Sequence, residues 1–145
     1  GEVGPMASPP GPEWGMGAVK QHAIANTDTI LAGVPWTIWQ FHAHGWEVKT
    51  PPPGAQVLQF SDKCKVQSFR AGLRTYAFQY HFECDLPMIG DLLNCGCAQI
   101  RESGLDPAHG FTEARERYEP YARVSDRLCV NLATYLFSVS RAISA

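Results

Sequence analysis

The chain has 145 residues, 45% of them hydrophobic and 18% charged, with 12 basic and 14 acidic side chains for a formal net charge of −2. That balance suits one globular domain with its own core and excludes a disordered chain. It also shows no basic stripe for nucleic acid, no Lys/Arg cluster for a membrane surface, and no apolar run of the ~20 residues that cross a bilayer.

Gly1-Glu2-Val3-Gly4-Pro5 has neither a basic n-region nor an apolar h-region, and no initiator Met, so the chain is expected to begin inside a longer reading frame. Residues 1–13, with Gly4-Pro5 and Pro9-Pro10-Gly11-Pro12, read as a Gly/Pro-rich surface loop. Trp14 to Val19 suits a short strand, and Ala23-Ile24 a second extended piece. Thr27 to Gly33 reads as one helical turn, capped by Thr27 or Asp28 and stopped by Gly33. The aromatic and β-branched run Trp36 to Phe41 predicts a strand, with His42-Ala43-His44-Gly45-Trp46 as the loop after it.

Pro51-Pro52-Pro53-Gly54 is a turn, followed by strands over Ala55–Phe60, Val66–Arg70 and Thr75–Tyr80, the last two joined at Ala71-Gly72. Pro87 to Ile100 has helical composition, Gly104 ends it, and Asp106-Pro107 through Gly110 reads as a turn. Tyr118, Tyr121, Leu128, Leu132, Tyr135, Leu136 and Val139 recur at steps of three and four, which predicts a helical segment over 112–142 with Pro120 near its start.

Five cysteines stand at 64, 84, 95, 97 and 129, odd in number and irregular in spacing, so free thiols in a reducing, cytoplasmic compartment are expected. The stretch richest in chemistry is Tyr76-Ala77-Phe78-Gln79-Tyr80-His81-Phe82-Glu83. On an extended chain, residues i and i+2 share a side, so His81 and Glu83 can meet where a strand ends. A carboxylate against an imidazole fixes its tautomer and stabilises its charged form, which is two-thirds of a nucleophilic triad. The competing reading is a structural histidine satisfied by a nearby acid.

His42 and His44, two apart, are half of a metal site, but no third or fourth ligand is apparent nearby, and no metal or cofactor is expected. Trp36 and Trp39 read as core. Arg115, Arg117 and Arg123 read as a solvated helix face.

Pro53-Gly54-Ala55, then Ser61-Asp62-Lys63-Cys64-Lys65-Val66-Gln67-Ser68-Phe69-Arg70, then Phe78-Gln79-Tyr80-His81-Phe82-Glu83 together resemble the second half of a class I glutamine amidotransferase domain. Glu13-Trp14-Gly15, Leu31-Ala32-Gly33-Val34-Pro35, His44-Gly45 and Asp126-Arg127-Leu128 sit where that family has similar segments, so the resemblance covers about residues 1 to 140. It implies an α/β fold over 1–145: part of a flavodoxin-like domain, a mixed sheet with C-terminal helices. It also implies His81 as general base and acid, Glu83 as its orienter, and His44 and Gly45 at the glutamine pocket. The bound partner would be glutamine or another γ-glutamyl small molecule, and a second copy or another chain would supply the missing strands.

The sequence departs from the family pattern in three places. Phe82 stands where the family has proline, Trp46 stands where it often has an acid, and no cysteine precedes Cys64, although the family nucleophile comes before all of these segments. Cys64 matches a non-catalytic family position. Cys84 is expected to point away from Glu83, and Cys95-Gly96-Cys97 lies in or beside a helix. The alternatives are a catalytically silent interaction or regulatory module, and a related γ-glutamyl peptidase or hydrolase.

Overall fold

The computed structural model describes residues 1–137. In chain order these form β1 (Glu2–Pro5), β2 (Glu13–Gln21), two 3-10 turns (Ala23–Thr27 and Thr29–Leu31), β3 (Thr37–His44), β4 (Trp46–Thr50), β5 (Gln56–Phe60), β6 (Ser68–Ala71), β7 (Thr75–Phe78), α1 (Leu86–Cys95), α2 (Cys97–Glu102) and α3 (Pro107–Leu136). A five-stranded sheet runs in the order β3-β2-β5-β6-β7, and β1 and β4 make a separate pair. The expected α/β architecture stands. Every pairing between these strands is antiparallel.

The β2–β3 ladder sorts its side chains by alternation. Trp14, Met16, Trp39, Phe41 and Ala43 face the helices and pack with Ile89, Leu93, Ile100, Ala114 and Tyr121. A second cluster gathers Val19, Ile38, Leu58, Tyr80, Leu31 and Leu128. Each fully buried Ile, Leu or Phe in these clusters contributes about 1.5–3 kcal/mol of transfer free energy.

Several elements differ from the sequence reading. Part of the expected loop over residues 1–13 is β1, which pairs with β4 from Val3↔Val48 to Pro5↔Trp46. Ala23-Ile24 opens a 3-10 turn instead of an extended piece, and the next turn is capped by Asp28, whose carboxylate accepts from Ile30 N at 3.0 Å. His42 to His44 lie inside β3 and Trp46 opens β4, so only Gly45 remains of that loop. The cause is pairing: Glu13 sits opposite His44 and Gly15 opposite His42, and burial of these polar side chains is decided across strands. Trp36 is 55% exposed and outside the core, while Trp39 is stacked under the Arg117 guanidinium at 3.6 Å.

The helices differ mainly at their starts. Asp106 and Pro107 begin α3: the Asp106 carboxylate accepts from Ala108 N at 3.1 Å, and Pro107 takes a first-turn position where no N–H is needed. Pro120 therefore falls inside α3, on its exposed side, with a full helix before it. The expected Pro87–Ile100 helix is two helices meeting at Gly96, and Asp85 caps the first through Met88 N at 2.9 Å. Val139 and the rest of the expected helical segment past 137 lie outside the described residues. No helix among the described residues is long and apolar enough to cross a membrane.

Candidate functional site

His81 is not inside a strand, because β7 stops at Phe78. Its backbone N–H donates to Phe41 O at 2.8 Å, which fastens it to the free edge of β3 as a single bridge. From α3 the buried Tyr121 hydroxyl reaches His81 O at 3.0 Å and Cys84 O at 2.9 Å, holding both ends of the His81–Cys84 segment. Phe82 replaces the constraint of a proline with packing: its ring meets Phe78 at 5.0 Å and Tyr80 at 6.2 Å between centroids.

Held this way, His81 Nδ1 and Glu83 Oε1 are 2.7 Å apart. The two side chains meet although the backbone between them is bent instead of extended. No hydrogen bond engages His81 Nε2 among the described residues, so Nε2 is the nitrogen available for proton transfer. Burial alone would raise the Glu83 carboxyl, but hydrogen bonds from His81 and from its own backbone prevail and hold it below the usual carboxylate range. A carboxylate against Nδ1, with Nε2 unengaged, is an arrangement that can support acid–base chemistry at the imidazole.

No described cysteine thiol hydrogen-bonds to His81. Cys84, expected to point away from Glu83, instead donates to its Oε1 at 3.8 Å. Burial and the Glu83 charge push that thiol up to about 11, so it stays protonated and weakly nucleophilic. Cys64 is buried, hydrogen-bonded to Val66 O at 3.5 Å, and pushed up to about 12 by desolvation. Cys64, Cys84, Cys95 and Cys129 are all free thiols.

The residues expected at the glutamine pocket separate. Gly45 lines an open cleft of about 790 Å³ together with Trp14, Trp46, Leu92 and Cys95. His44 turns the other way, into the sheet, where its Nε2 lies 3.2 Å from Glu13 Oε2. His44 ends β3 with its ring on the Glu13 side, while Gly45, between strands and without a side chain, gives only backbone surface to the cleft. Neither His81 nor Glu83 lines that cleft.

Glu13 was not singled out as a site residue by the sequence, yet it is the centre of a buried polar group. Its carboxylate accepts from Ser61 Oγ at 2.6 Å and from Gln67 Nε2, and it faces both His42 and His44. Burial raises the Glu13 carboxyl, but the His44 hydrogen bond and the neighbouring imidazoles outweigh this and leave it lowered. Desolvation takes His42 down to about 4, so it is neutral near pH 7. Only the Glu13-Trp14-Gly15 segment gave a hint of this, and nothing local in sequence pairs residue 13 with residue 44.

No protein-family model matches the sequence, and no curated protein matches it. Solved structures do. A glutamine amidotransferase from Thermotoga maritima superposes with a TM-score of 0.73 at 19% identity, over 94% of this chain and 55% of that one. A glutamine amido transferase from Methylobacillus flagellatus gives 0.66 at 19% identity, over 94% of this chain and 56% of that one. The fold is therefore glutamine amidotransferase-like, and the chain spans about half the length of the structures it matches.

Proposed function

We propose that this chain supplies the acid–base half of a class I glutamine amidotransferase-type site, with His81 as general base and acid and Glu83 as the residue that orients it. One observation carries the reading: the 2.7 Å contact between His81 Nδ1 and Glu83 Oε1 at the edge of β3. The glutamine amidotransferase-like fold supports it, since the same fold frames the glutamine amidotransferases it superposes on.

In this reading a cysteine thiolate from outside the described thiols attacks the side-chain amide carbon of glutamine. His81 delivers a proton from Nε2 to the departing ammonia, leaving a thioester. His81 then takes a proton from water as it attacks the thioester, and glutamate leaves. Glu83 holds the ring in the tautomer that presents Nε2 and stabilises the imidazolium that protonates the ammonia and that forms again when water gives up its proton. Free thiols suit a reducing, cytoplasmic setting for this chemistry.

The test is glutamate release from glutamine by the protein expressed from its complete reading frame. The expected result is turnover that His81→Ala lowers by about 10²–10⁴-fold, the usual contribution of a positioned acid–base group. Unchanged turnover in that variant would remove His81 from its role. A wild-type protein silent towards glutamine and other γ-glutamyl amides would favour the non-catalytic module, a reading that the raised Cys64 and Cys84 thiols also support.

A further inference from the structure

We propose a second, independent site: a divalent transition-metal centre, with zinc as its best-suited ion, held by Glu13, His42 and His44 inside the sheet. The antiparallel register of β2 and β3 puts Glu13 opposite His44 and Gly15 opposite His42, so all three ligand side chains leave the same face. All three are buried, and their donor atoms converge. Glu13 Oε2 lies 3.2 Å from His44 Nε2 and 3.8 Å from His42 Nδ1, and the two imidazole nitrogens are 3.4 Å apart. A tetrahedral zinc with ligand bonds of about 2.0–2.1 Å places its ligands roughly 3.3–3.4 Å from one another. The three atoms outline one face of such a tetrahedron. Two imidazoles and a carboxylate are a borderline donor set that favours zinc over calcium or magnesium.

The surroundings orient these ligands. His44 Nδ1 is 3.1 Å from Trp46 O; a proton held on Nδ1 by that carbonyl lets Nε2, 3.2 Å from Glu13 Oε2, give up its contact with the carboxylate and take the ion. Ser61 Oγ donates to Glu13 Oε1 at 2.6 Å and Gln67 Nε2 donates to Oε2, whose second lone pair faces the two imidazoles and is the one offered to the ion. Gln67, whose Nε2 meets Glu13, keeps its Oε1 buried without a hydrogen-bond partner. Gly17 gives the His42 ring its room, since a Cβ there would fall 2.7 Å from it. Without a cation, the carboxylate and the two facing nitrogens must share protons across an N···N separation of 3.4 Å, which is long for a hydrogen bond. A cation satisfies all three ligands at once and pins β2 to β3.

The test uses the whole chain, stripped with a chelator and titrated with zinc chloride. Long-range ¹H–¹⁵N NMR of the imidazoles reads which nitrogens respond. The expected result is one equivalent bound, a higher melting temperature, and shifts at His42 Nδ1 and His44 Nε2 with His22, His81 and His109 unmoved. His42→Gln should weaken zinc binding tenfold or more; should that variant not fold, the wild-type spectra decide alone. A folded wild-type chain that takes up no zinc overturns the proposal. So do shifts confined to His81, whose neighbours Glu83 and Cys84 form the competing cluster, or unchanged affinity in a folded His42→Gln.

Discussion

Glu83 shows how little separates a structural acid from a positioned one. Its side chain is 55% exposed, so its contact with His81 adds little stability, as exposed ion pairs do. What the contact changes is protonation. A carboxyl whose folded-state pKa is lowered contributes stability that is complete above its unfolded value and is lost as pH falls through the folded value. For Glu83 the window lies below the ordinary value of 4.5. Carbon-13 NMR of the Glu83 carboxyl should give a midpoint below 4.5, and His81→Ala should return it upward towards that value. A midpoint that does not move in the variant would show that His81 is not the group holding Glu83 ionised, and the orienting role would fall with it.

Among the elements, α3 holds the clearest local conflict. Pro120 lies inside it, where a proline deletes one backbone hydrogen bond and crowds the carbonyl of the preceding turn. The conflict is tolerated because Glu116 and Pro120 are both exposed, so water can take the freed carbonyl, while Tyr121 and Leu128 bury the opposite side. Pro120→Ala should therefore stabilise the chain by about 1–3 kcal/mol in urea unfolding, given the ~3 kcal/mol helix penalty of proline. A loss of stability would mean that the backbone geometry set by Pro120 is needed for Tyr121 to reach His81 O and Cys84 O.

The same helix marks what the sequence could convey. Asp106-Pro107 is a turn signal and equally a cap followed by a first-turn proline, and only the packing of Phe111 and Ala114 behind it decides between them. The cores of β2 and β3, the β6–β7 hairpin and the His81–Glu83 meeting were legible because each rests on local chemistry: aromatic runs, a glycine at φ +66° in Gly72, two residues at i and i+2. His42 and His44 read as loop in the sequence because histidines beside a glycine look solvent-facing, and Glu13, which faces them, and Ser61 and Gln67, which bond to Glu13, come from other segments. Tyr121 was legible as a core position but not as the tether of the site, since its two acceptors are backbone carbonyls 37 and 40 residues away.

For the whole molecule, the question is what covers the surfaces left open. Trp36 is 55% exposed, Leu73 89%, Val130 56%, Tyr135 52% and Phe137 70%. On its outer side β3 makes one bridge, Phe41 to His81, and no ladder among the described residues. Open edges and bare aromatic side chains favour association. Burying four or five such side chains yields about 1.5–3 kcal/mol each, a sum comparable to the roughly 4–15 kcal/mol cost of bringing two chains together. Association should therefore be measurable but moderate. Sedimentation velocity on the chain is expected to show species heavier than 16.0 kDa that grow with concentration in the micromolar range. Trp36→Lys combined with Val130→Lys should return the chain to the monomer mass while leaving its circular dichroism unchanged. A chain that sediments at 16.0 kDa at every concentration would show that these side chains are tolerated in water, and the proposal of a second copy or partner completing the sheet would lose its physical basis.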